Sequence, residues 1–122
     1  MMLFAVAAAV TGIIVAIAHF IIGDRVVLQP MFREQTSGIL AAKPMRDLTR
    51  AMFQLHSLVW AALGIAVLVN RWQGGGDLIG YLAMLIFTVS GVANLLVLRR
   101  PHPGGILLLI AAAAAAADMA FN

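Results

Sequence analysis

The sequence predicts an all-α membrane protein, a bundle of four transmembrane helices. Two observations carry this. Hydrophobic residues make up 63% of the 122 and charged residues only 11%, against about 45–50% and about 25% in an average soluble domain. The Asp, Glu, Lys and Arg residues are also clustered, and they leave charge-free windows over 1–23, 51–70, 78–98 and 101–117. A helix needs about 20 apolar residues, roughly 17–25, to cross the hydrocarbon core. Four windows therefore mean four spans in a single domain, placed at about 3–22, 50–70, 78–98 and 105–121. Backbone in lipid must satisfy its own hydrogen bonds. The runs are too long, and alternate too little, for barrel strands. A soluble globular domain, a disordered tail and a coiled coil are excluded.

Lys and Arg placement predicts orientation. The connection 24–49 and its flank carry Arg25, Arg33, Lys43, Arg46 and Arg50, and the turn between the third and fourth spans carries Arg99 and Arg100. Arg71 alone falls on the other face. By the positive-inside rule both basic loops are cytoplasmic, in a cell inner membrane, and both termini are non-cytoplasmic. Trp72 and Tyr81 then fall at the outer interface. The net charge of +3 reads as contact with anionic headgroups rather than with nucleic acid. With no Cys, disulfides, thiol redox chemistry and thiolate metal sites are excluded. The first span lacks a basic leader and reads as retained rather than cleaved.

Each element has its own logic. In the first span Ala8, Gly12, Ala16, His19 and Gly23 recur at helical spacing, a stripe that permits close helix approach in lipid. In the connection, Gln29, Pro30, Thr36, Ser37 and Gly38 are expected to break any continuous helix, leaving short interfacial pieces. Pro44 suits a first helical turn, so the second helix is expected from near Pro44 to Arg71, with amphipathic first turns. Gly74–Gly76 is a tight turn and no phosphate loop, since neither a preceding strand nor a following GK[ST] is present. In the third span Gly80, Met84, Phe87, Gly91 and Asn94 share a stripe. The fourth, with alanine at every position from 111 to 117, is thin and is expected to lie against the bundle or a partner.

Ionisable residues inside a membrane are candidates for function. His19 and His56 both fall roughly 6–9 Å inside the cytoplasmic boundary, at 1.5 Å per residue. Ser90 and Asn94 of the third span reach the same leaflet, as do Gln54, Ser57 and Asp24. Two His with Asp24 form a ligand set for a transition metal. Two His alone could hold a b-type haem, and a His with an Asn could bind a quinone. In each case Ser90 and Asn94 complete a cofactor pocket around His19 and His56. The bland reading stands beside these: a buried His can simply hydrogen-bond a neighbouring helix. Asp24 is expected to pair with the adjacent Arg25, Asp118 to be solvated near the chain end, and His102 to lie on a turn surface.

The segment Ala18-His19-Phe20-Ile21-Ile22-Gly23-Asp24, with Gln54-Leu55-His56-Ser57, resembles a family of small bacterial four-helix membrane proteins. Its members carry a Gly-His-Ser-x-Leu-Gly-Glu pattern ending the first helix and a Trp-His pair early in the second. Here Ala18 stands for the Gly, Phe20 for the Ser, Asp24 for the Glu and Leu55 for the Trp. The resemblance covers about a third of the chain and implies that His19 and His56 work as a pair; it implies no particular activity. Small multidrug-resistance transporters are similar in length and span count, but their first-helix Glu is missing, which argues against drug–proton antiport. Three functions stay open: a His-based metal, haem or quinone site; an accessory subunit of a larger membrane complex; and a small-solute transporter acting as a homo-oligomer. Whether the chain catalyses a reaction is not readable from its sequence.

Overall fold

The computed structural model describes residues 2–34 and 37–122. In order these form α1 (Leu3–Gly23), a π-helical turn (Asp24–Leu28), α2 (Gln29–Glu34), a 3-10 turn (Ile39–Ala41), α3 (Lys43–Trp72), α4 (Leu78–Leu98) and α5 (Pro103–Phe121). All described elements are helical. Four helices are long and apolar enough to cross a membrane: Leu3–Glu34, Lys43–Trp72, Leu78–Leu98 and Pro103–Phe121. The protein is thus a four-helix bundle with the composition of a multi-pass membrane protein. The connection 24–43 and the Arg99–Arg100 turn share one end, called the basic end below; both chain termini lie at the other.

The first helix corrects an expectation. It does not break at Gln29-Pro30 but runs on through the π-turn into α2. An α-helical proline clashes with the carbonyl four residues back and leaves it without a donor. Here the Gln29 N–H reaches back five residues to the Asp24 carbonyl. That wider turn moves the carbonyls off the proline ring, and the helix continues past it. The bend comes later, at Ser37-Gly38. Gly38 has φ +75° and ψ −159°, a region essentially reserved for glycine. Thr36, also expected to break the helix, lies outside the described residues.

α1 packs along α3 on one side and α5 on the other, and α5 packs along α4; α3 and α4 meet over a shorter stretch. The small residues explain which helices are inside. Ala5, Ala8 and Ala16 of α1 and Ala111 and Ala115 of α5 are buried with Trp60, Val67, Phe87 and Leu108. The thin helix α5 therefore lies against the bundle, between α1 and α4, as expected. Between α1 and α3 the backbones nearly touch. A Cβ on Gly64 would stand 3.0 Å from the Ala9 Cα, and one on Gly12 would stand 3.0 Å from the Trp60 carbonyl oxygen. Without a hydrophobic driving force between helices in lipid, such contact supplies the van der Waals attraction that holds them.

A further correction concerns Asp118. It is buried, not solvated, at 3% exposure, and its carboxylate accepts from Arg71 Nε and Nη2, both at 2.9 Å. Asn122 donates to it as well. The lone cation and the last carboxylate at that end answer one another, so α3 and α5 are pinned together there.

Candidate imidazole site

Near the basic end, α1 and α3 present a cluster of rings. Its centre is His19, half-buried. Phe53 stacks on it at 4.3 Å between centroids, and Trp60 meets it edge-on at 4.9 Å. His56 stands one helical turn before Trp60. Its ring centre is 6.0 Å from that of Trp60 and 6.4 Å from that of His19, tilted by 52°. The expected pairing of depth is thus realised as spatial proximity. Residues 53, 56, 57 and 60 reach one neighbour because spacings of three and four fall on one helix face.

The hydrogen bonds around the rings have a readable direction. His19 Nδ1 lies 2.8 Å from Ser57 Oγ. That hydroxyl gives its own proton to Gln54 Oε1, at 3.3 Å. Gln54 Nε2 in turn donates to the Phe20 carbonyl at 3.0 Å. In the arrangement where Ser57 gives its proton to Gln54, it accepts from His19, and Nδ1 carries the His19 proton. His56 Nδ1 lies 3.3 Å from the Met52 carbonyl, and a carbonyl only accepts. In that arrangement both imidazoles hold their proton on Nδ1. In a neutral ring that leaves the Nε2 lone pair free. A metal-bound histidine has the same arrangement: its other nitrogen donates to a carbonyl or another acceptor.

The remaining predicted residues are distributed around this centre. Ser90 joins it through Trp60, whose Nε1 donates to Ser90 Oγ at 3.2 Å. Asn94 bonds back to the Ser90 carbonyl on its own helix, at 2.8 Å. Asp24 belongs to a separate group: its Oδ1 accepts from Arg50 Nε at 2.9 Å and its Oδ2 from Gln29 Nε2 at 2.8 Å. Its ion-pair partner is Arg50, not the expected Arg25. Among the described residues no group of three or more His, Cys, Asp and Glu side chains comes together as a metal site. His102, expected on a surface, is half-buried and caps α5, its Nδ1 accepting from the Gly104 N–H at 3.2 Å. Its tautomer is thus the opposite of that of the other two.

The sequence reading missed Trp60 and Phe53 as members of the cluster. Their signal was spacing alone: Trp60 follows His56 by four residues, and Phe53 precedes it by three. Compared with protein-family models, with curated proteins and with solved structures, the chain matches none.

Proposed function

We propose that the chain is a polytopic inner-membrane protein whose His19 and His56 bind one transition-metal ion through Nε2, in the cytoplasmic leaflet. The observation that supports this is the placement of both Nδ1 atoms against oxygen partners, Ser57 Oγ and the Met52 carbonyl, which would leave an Nε2 lone pair on each of two neighbouring rings. An imidazole centre stands about 3 Å from a metal ligated at about 2.0–2.1 Å. Two rings sharing an ion are then about 6 Å apart if opposite one another and about 5 Å if tetrahedral, both shorter than the observed 6.4 Å. Binding therefore requires the exposed His56 side chain to swing toward His19. Haem is the less favoured occupant, because Phe53 and Trp60 already pack on His19. A quinone carbonyl needs a donor, and neither Nε2 carries a proton in this arrangement.

Two imidazoles leave further positions on the ion, for water or for groups of a second copy against the His56 face. A homo-oligomer is the assembly that fits this reading.

The test is titration of the purified protein with Co2+ in mild detergent, followed by its visible absorption, with Zn2+ competition. The expected result is one saturable site per chain or per pair of chains, displaced by Zn2+ and abolished in His19→Ala and in His56→Ala. Absorption unchanged by either substitution would overturn the reading.

A further inference from the structure

On one side of the α1–α3 seam two depressions run into each other. One, of about 300 Å³, is lined by apolar side chains including Ile17 and Leu58. The next, of about 480 Å³, is lined by Asp24, Arg25 and Arg50. Phe20, Ile21 and Gln54 line both. The groove is therefore apolar toward the middle of the helices and charged at the basic end, over roughly 12 Å of helix at 1.5 Å per residue.

Its charges do not cancel. Arg50 is paired with Asp24, whereas Arg25 has no hydrogen bond or ion pair among the described residues. Two guanidiniums against one carboxylate leave a single positive charge at the mouth. Gln54 is neutral, and its amide is already bonded to Phe20 and Ser57. The π-turn Asp24–Leu28 belongs to the same place, and it carries α1 past the mouth without a break.

We propose that this groove binds one anionic phospholipid, its phosphodiester against Arg25 and the free edge of Arg50, and one acyl chain along Ile17, Ile21 and Leu58. The charge matches: one negative phosphodiester for one uncompensated guanidinium. Arginine suits the role because its planar fork engages two phosphate oxygens at once. Basic pockets between helices at a membrane surface recognise headgroups by this chemistry. None of the residues proposed to hold the lipid is His19 or His56, although Gln54 and Ser57 border both the groove and the imidazole cluster.

The experiment is native mass spectrometry of the detergent-purified full chain, titrated with phosphatidylglycerol or phosphatidylcholine of the same acyl length. We expect about fivefold stronger retention of phosphatidylglycerol, the effect of one basic side chain near a headgroup. Arg25→Gln, at an exposed position, should remove the preference with the unfolding midpoint unchanged. Leu58→Trp, which fills the apolar part, should weaken retention of the lipid. Arg99→Gln with Arg100→Gln, on the other basic turn, should leave the preference intact. Equal binding of the two lipids, a preference surviving Arg25→Gln, or full retention in Leu58→Trp would overturn the proposal. So would displacement of the lipid by inorganic phosphate, which would make this a site for free oxyanions.

Discussion

Each end of the bundle is tied by an Arg–Asp pair, and the two ties differ in what surrounds them. At the end holding the termini, Arg71 and Asp118 have side-chain exposures of 16% and 4%. Asn122 and the Asp118 carbonyl complete the contact. At the basic end Arg50 and Asp24 are 44% and 25% exposed, beside a groove and Arg25, which has no hydrogen bond or ion pair among the described residues. The first tie is buried: Arg71 and Asp118 are spent on each other, with the exposed Asp77 standing off at 3.8 Å. The second keeps one cation over, and a helical turn deeper it adjoins rings whose Nε2 atoms are unused. A polar group that exhausts its partners holds helices together, and one that does not can take a ligand.

The contrast can be broken at its closed end first. Asp118→Ala strands the Arg71 charge in the bundle, leaving it the carbonyl of residue 118 and the Asp77 carboxylate at 3.8 Å. Loss of one partner of a buried pair costs about 3–5 kcal/mol. SDS-driven unfolding in mixed micelles should show that loss. The α1–α3 contact comes next. Gly64→Leu must push the Ala9 backbone away, and overpacking of this kind costs about 1–3 kcal/mol on the same measurement.

Ser57→Ala sharpens the comparison on the open side. Interhelical hydrogen bonds in membranes average about 0.6 kcal/mol and reach about 1.7, so stability should fall only slightly. Loss of the acceptor that fixes the His19 proton should cost more in binding, about 10–100-fold in Co2+ affinity, as for other groups that orient a ligand. Equal effects of Ser57→Ala and Leu58→Ala on that affinity would remove Ser57 from the role. The smallest effect is expected from Arg50→Gln: a half-exposed pair contributes about 0–1 kcal/mol, and unfolding should be nearly unchanged.

Much of the fold was legible because charge placement alone sets span ends, and small residues at helical spacing mark the packed faces. The course of the chain at Pro30 was not. Proline is read as a breaker, and the wider turn that accommodates it depends on a backbone bond from Gln29 to Asp24 that composition does not encode. The site was partly legible. The equal depth of His19 and His56 follows from counting residues to the nearest charge. The direction of the Ser57 hydroxyl, and hence which His19 nitrogen is free, depends on Gln54 reaching across to Phe20. Asp118 was misjudged for a related reason. Its position near a chain end suggests water, and only the packing of α3 and α5 on either side of α1 brings Arg71 to it.

The central claim is that His19 and His56 both keep their proton on Nδ1 and turn Nε2 toward one ion. Nitrogen-15 NMR of histidine-labelled protein in micelles tests it most directly, with His102 as an internal control of the opposite tautomer. The account predicts unprotonated Nε2 signals for His19 and His56, both displaced together by a single equivalent of Zn2+, while His102 stays in place. A protonated Nε2 on either ring before metal is added, or a response from only one of the two, would contradict it.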